Sequence, residues 1–191
     1  MIEEVLTERA KGMADLVSDL AWARPLQNMI SVVSSVLQSR DGIVMACGNG
    51  GSASQAEHLV GELVGRFLKE RRGLPAIALT ANSTVVTAIS NDYAYGEVFA
   101  RQVKAYAGRP SALLVLSTSG RSDNLVQATR CANELGIPTL GLLGRDGGVL
   151  GQLCSISVIV PSQSTPFIQE VHQILIHTIC EEIDKVLLDG S

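Results

Sequence analysis

Positive charge is scarce in this chain. Its 15 Lys and Arg are outnumbered by 19 Asp and Glu, the formal net charge is -4, and no basic run is longer than Arg71-Arg72. A protein that coats nucleic acid needs a clustered cationic face, so that class is excluded and no nucleic-acid partner is expected. One small anion, by contrast, needs only local positive potential. Cysteine is sparse and unpatterned. Cys47, Cys131, Cys154 and Cys180 lack paired metal-ligand spacing and lie in apolar contexts, so they read as small core residues of a reducing compartment, free of disulfides. No apolar run approaches the length of a membrane span, and Met1-Ile2-Glu3-Glu4 is acidic where a secretion signal is basic. The expectations are a cytoplasmic location and no membrane partner. Linkers, internal repeats and low-complexity tracts are missing as well. What remains, 191 residues with 46% hydrophobic and 18% charged side chains, fits one domain spanning residues 1–191 with a sizeable core.

Residues 1 to about 40 carry helical spacing without strand alternation, with a break expected near Ala23-Arg24-Pro25 that divides them into two helices. From Gly42 the pattern changes. Ile43–Ala46, Ala76–Leu79, Ala112–Leu116, Thr139–Leu143 and Ile156–Val160 are short apolar runs, most of them separated by helical segments. Continuous apolar character means strands covered on both faces, which gives an α/β fold: a five-stranded, mainly parallel sheet flanked by helices, preceded by N-terminal helices.

In such a sheet, ligands gather beyond the carboxyl ends of the strands, so the loops after these runs should converge. The third run empties into Ser117-Thr118-Ser119-Gly120-Arg121-Ser122, whose four hydroxyls and turn-permitting glycine open a helix. Helix amides and hydroxyls together suit a phosphate, and four hydroxyls exceed what an N-cap at Ser122 or Asp123 requires. The first run is followed by Gly48-Asn49-Gly50-Gly51-Ser52, a loose dinucleotide pattern. That reading is weak, because Leu79-Thr80-Ala81-Asn82 offers no acid for a ribose at the end of the second strand.

Only three histidines occur. His58 and Glu62 stand four residues apart on one helical face, where they could share a metal, share a proton or form a surface pair. Gln169, Gln173 and His177 make an i, i+4, i+8 stripe on the last, otherwise apolar helix, which reads equally as a solvent face or as part of a site. His172 reads as a core or interface residue. Asn91-Asp92 suits either ligand contact or a helix end and turn.

Taken together, Cys47–Ser52, Glu57-His58, Glu62-Leu63, Gly65-Arg66, Pro75–Leu79, Asn91-Asp92, Ser117–Gly120, Asp146–Gly148 and Ile168-Gln169-Glu170 ending at His177 resemble the sedoheptulose-7-phosphate isomerases, or phosphoheptose isomerases, of the sugar-isomerase (SIS) domain superfamily. The resemblance covers nearly the whole chain. It implies a homotetramer with active sites between subunits, and conversion of sedoheptulose 7-phosphate to D-glycero-D-manno-heptose 7-phosphate at the start of bacterial nucleotide-activated heptose synthesis. Carried over by residue, it implies Glu62 as general base and His177 as general acid. It also implies His58, Glu62, Gln169 and His177 as ligands of one zinc ion per subunit. The substrate would be held by Asn49, Gly50, Gly51, Ser52, Glu62, Asn91, Asp92, Ser117, Thr118, Ser119, Ser122 and Gln169. Isomerisation through an enediol needs one group to move a proton between carbons and another to manage protons on the oxygens, which is the division of labour implied for Glu62 and His177. Two positions depart from the family pattern: Arg121, where relatives often carry asparagine, and Phe167, where many carry arginine. Two other functions share this fold, a tetrameric scaffold that binds the replication initiator and a sugar-phosphate-sensing regulator. The scaffold proteins lack the equivalents of Glu62 and His177.

Overall fold

β-branched and leucine-rich runs set the sheet. The computed structural model describes residues 1–18 and 20–188. Five strands, β1 (Ile43–Gly48), β2 (Ala76–Ala78), β3 (Ser111–Ser117), β4 (Thr139–Gly144) and β5 (Ile156–Val160), form one sheet in the order β2-β1-β3-β4-β5. Every neighbouring pair is parallel. Each run found in the sequence is a strand, to within two residues at either end. β2 stops one residue early, at Ala78, although the Leu79 amide still donates to the Ala46 carbonyl at 2.9 Å.

Side chains alternate across the sheet into two cores, as the period of a strand requires. Val44, Ala46, Leu114 and Leu142 face a cluster built with the helices α2 (Ala23–Gln38), α3 (Gly51–Val64) and α8 (Thr165–Leu188). Met45, Cys47, Leu113 and Val115 face the other, built with α4 (Ser83–Asp92), α5 (Ala100–Ala105), α6 (Asp123–Glu134) and α7 (Leu150–Leu153). Both faces are therefore dry, which explains why the strands read as unbroken apolar runs.

The N-terminal segment divides into two helices as expected, with the break just ahead of Ala23. α1 (Ile2–Ser18) ends ahead of a 3-10 turn at Leu20–Trp22, and α2 already begins at Ala23. Pro25 lies in the first turn of α2, where a missing amide loses no helical hydrogen bond, so it starts this helix rather than breaking one.

The chain runs outward from β1 to β2 in one direction and from β3 through β5 in the other. β1 and β3 thus flank the switch point of the sheet, and their carboxyl-terminal loops open side by side into α3 and α6.

Candidate active site

The loop after β1 turns on Gly50, whose φ of +56° is left-handed. Beyond it, Asn49 and Asn124 exchange side-chain hydrogen bonds, each amide donating to the other's oxygen at 2.9 Å. This reciprocal pair ties the glycine loop to the start of α6 across the switch point, and the Tyr95 hydroxyl donates to Asn49 Oδ1 at 3.0 Å. Ser52 is buried in the first turn of α3.

The hydroxyl loop after β3 is ordered by its own serines. Ser117 Oγ accepts from the Gly120 amide at 3.0 Å, and Ser119 Oγ accepts from the Arg121 amide at 3.3 Å. Ser122 is the N-cap residue of α6, yet its side chain makes no capping bond. That hydroxyl and the unpaired first-turn amides of α6 are thus available to an anion. Gly120 has a φ of +64°, and a Cβ there would collide with the Gly147 carbonyl, so this loop and the loop after β4 are in direct backbone contact. Arg121 is not free: its guanidinium donates to Asp146 Oδ2 at 2.5 Å. The Asp146 carboxyl is held below its ordinary pKa, chiefly by the Gly148 amide and also by Arg121.

Farther along α3, His58 and Glu62 share one helical face and meet His177 of α8. His58 Nε2 lies 3.0 Å from His177 Nε2 and 3.3 Å from Glu62 Oε1. The ligand atoms of all three lie within 4.8 Å of one another. Phe67 stacks on the His177 ring, centroids 5.7 Å apart and planes 27° apart, and Gln173 Nε2 lies 3.0 Å from His177 Nε2. Two imidazole nitrogens and a carboxylate oxygen are a donor set suited to a divalent ion. A tetrahedral ion with bonds of about 2.0–2.2 Å separates its ligand atoms by roughly 3.3–3.5 Å, close to the spacing already present. The trio therefore fits a metal ion with small adjustments. Glu62 is only 24% exposed while His58 is 42% exposed, so the carboxylate sits deeper than the histidine.

Other expected site residues lie elsewhere. The Gln169 side chain rests on the glycine loop, so close that a Cβ on Gly51 would be 2.5 Å from its Nε2, and its backbone carbonyl accepts from Gln55 Nε2 at 2.7 Å. The glutamine that touches His177 is Gln173. Asn91 and Asp92 are exposed at the end of α4, bonded to each other at 2.9 Å. Arg66 is at the surface, 3.7 Å from Glu70. Gln173 belongs to the stripe that the sequence left open between solvent face and site, whereas nothing in the sequence marks out Asn124, Tyr95 or Phe67. An asparagine inside a helix and a tyrosine in a turn carry no local signal, and the partner of each comes from a distant segment.

A model of the SIS domain family matches residues 10–144. The chain is 48% identical over 163 residues to a phosphoheptose isomerase of Aliarcobacter butzleri, covering 85% of this chain and 86% of that one. It is 44% identical over 184 residues to the phosphoheptose isomerase of a Nitratiruptor species, covering 96% and 97%. Among solved structures it is similar to phosphoheptose isomerase from Francisella tularensis, with a TM-score of 0.89, 33% identity and 96% of both chains covered. The similarity extends to phosphoheptose isomerase GmhA from Neisseria gonorrhoeae, with a TM-score of 0.86, 34% identity, and 96% of this chain and 97% of that one covered.

Proposed function

The chain belongs to the phosphoheptose isomerases of the SIS domain family, and from that premise we propose that it converts sedoheptulose 7-phosphate into D-glycero-D-manno-heptose 7-phosphate. The observation that carries the proposal is the meeting of His58, Glu62 and His177, drawn from two helices, in a chain of this family. A non-catalytic scaffold has no chemical use for that trio, and the scaffold reading is not favoured. A sugar-phosphate sensor gains no support from a trio whose chemistry is proton transfer.

In the proposed reaction Glu62 removes a proton from C1 of the open-chain ketose as the C2 carbonyl gains electron density. His177 gives a proton to O2, and a cis-enediol results. Glu62 then returns its proton to C2, while His177 takes the proton from O1 and the new carbonyl forms at C1. Atoms and charge balance, because one proton moves between carbons and one between oxygens. Phe67 fixes the plane of the His177 ring, and Gln173 fixes its rotation through Nε2. The phosphate would rest on Ser117, Thr118, Ser119 and Ser122 at the α6 N-terminus. Asn49, Gly50, Gly51, Ser52, Asn91, Asp92 and Gln169 would serve the sugar hydroxyls.

His58, Glu62 and His177 would hold a zinc ion, with Gln169 as the further ligand of the proposed set. Such an ion, when bound, stabilises negative charge developing on the two sugar oxygens. Gln169 and His177 are eight residues apart, about 12 Å of helix rise, and the Gln169 side chain lies against the glycine loop, so it would have to swing towards the trio to join the set.

The unit proposed is a cytoplasmic homotetramer of single-domain chains over residues 1–191, with sites shared between subunits. Sharing is supported by the geometry of α3, along which Gly51 and Glu62 are separated by about 16 Å of rise. A second subunit's trio beside the phosphate loop shortens the reach asked of the substrate.

The test is turnover of sedoheptulose 7-phosphate by metal-analysed protein, followed as aldose phosphate. The wild type should turn over, whereas Glu62→Gln and His177→Ala should each lose roughly 10²–10⁴-fold in kcat. A metal-replete wild type without turnover would defeat the assignment of substrate.

A further inference from the structure

We propose that Arg71 and Asp184 form a positioning clamp that sets Glu62 and His177 relative to each other. The inference rests on the isomerase reading of that pair. Arg71 lies in the segment after α3, outside any helix or strand, yet its side chain is only 4% exposed, and its partner Asp184 only 2%. Its Nε donates to Asp184 Oδ1 at 2.6 Å. The same guanidinium donates from one terminal nitrogen to the Glu62 carbonyl at 2.8 Å and from the other to the Leu63 carbonyl at 2.9 Å.

Two consequences follow from where these bonds land. The last carbonyls of a helix have no intrahelical donor, and α3 ends at Val64. Arg71 therefore caps the end of α3 by holding the backbone of Glu62 itself. Asp184, at the other end of the guanidinium, follows His177 by seven residues on α8. Seven residues are about two turns and return to within roughly 20° of the starting direction. Both side chains thus leave one face of α8, and drawing Asp184 to Arg71 fixes the roll of the helix that aims His177 at His58 and Glu62. Cys180 lies on that face between them.

A buried ion pair is a poor stabiliser, since apolar residues of like volume serve as well or better. Its gain here is orientation. The guanidinium reaches its acceptors from three separate nitrogens held in one plane, whereas lysine would keep the charge but, with its donors on one nitrogen, not the three-way geometry.

The test uses the full chain with Arg71→Met/Asp184→Leu together, and Arg71→Lys separately. The double variant should stay folded, with a melting temperature lowered only by the loss of the cap on the Glu62 and Leu63 carbonyls. Its kcat should fall roughly tenfold to hundredfold, with KM unchanged, because the phosphate loop is untouched. Zinc affinity, read by competition with a chromophoric chelator and without substrate, should fall roughly 10–100-fold. Arg71→Lys should lose part of each. A folded double variant with wild-type kcat and zinc affinity overturns the clamp. Where the double variant does not fold, Arg71→Lys decides: losses in kcat and zinc affinity support the clamp, and wild-type values overturn it. If the wild type holds zinc but leaves sedoheptulose 7-phosphate unchanged, the isomerase reading fails while the zinc measurement still decides the clamp. A wild type that neither holds zinc nor turns over removes the role of the trio and of the clamp with it.

Discussion

His172 is wholly buried in α8, and neither ring nitrogen makes a well-formed hydrogen bond among the described residues. Burial pushes its pKa down to about 4, and the nearby Leu143 carbonyl offsets this only in part. The fold accepts the neutral ring, whereas an unfolded histidine titrates near about 6.5. Between those values the unfolded chain binds the extra proton, so the stability associated with His172 is complete above about pH 6.5 and falls as pH drops towards about 4. The loss should be on the order of 3 kcal/mol, and urea unfolding across that interval measures it. His172→Leu should flatten the slope, and an unchanged slope would place the acid sensitivity elsewhere. The burial of this residue was legible from its place in an apolar run. Its lack of partners was not, because those depend on what β4 presents from outside the helix.

At the scale of elements, the backbone contact between the loops after β3 and β4 constrains the loop proposed to hold the phosphate. Gly120→Ala adds a side chain at a φ of +64° and aims it at the Gly147 carbonyl. The variant should lose about 1–3 kcal/mol and show a raised KM for the sugar phosphate, measured by unfolding and initial rates. Gly136→Ala is the control. Its φ of +69° is equally left-handed, but no atom lies within 4 Å of the added Cβ, so stability should fall while KM stays put. The strands, and the glycine and hydroxyl loops that follow β1 and β3, could be read from the sequence because apolar runs and glycine or hydroxyl clusters are local signals. The helix stripe Gln169, Gln173, His177 was legible as one face only. Spacing fixes which side chains are neighbours on α8, and so accounts for Gln173 meeting His177 one turn on, but Gln169 meets the glycine loop because of how α3 crosses that face. Arg71 gave no such signal, since in a charged segment nothing local distinguishes a buried arginine from its exposed neighbour Arg72.

For the molecule as a whole, α1 is the element with least core of its own. It is held to the start of α8 by an ion pair between Arg9 and Glu170 and by the close seating of Gly12 against the Phe167 ring. Phe167, one of the two departures from the family pattern, is thus a docking residue for α1. The other, Arg121, bridges two loops. Ile2, Val5 and Leu6 are 78%, 49% and 62% exposed, an apolar stretch suited to helices of further subunits. Sedimentation of the purified protein should reveal a species larger than a monomer, and Leu6→Glu should dissociate it and lower turnover together. A fully active monomer would count against sites shared between subunits.

Trp22 is the single tryptophan of the chain, half-buried where α1 meets α2, with its indole N–H donating to the Leu16 carbonyl at 2.9 Å. Intrinsic fluorescence excited at the indole therefore comes from one address, at the hinge of the N-terminal helices and outside the proposed site. A shift in its emission on dilution reports helices parting. The same signal should stay silent when sugar phosphate binds, so assembly and occupancy can be followed as separate optical events in one cuvette.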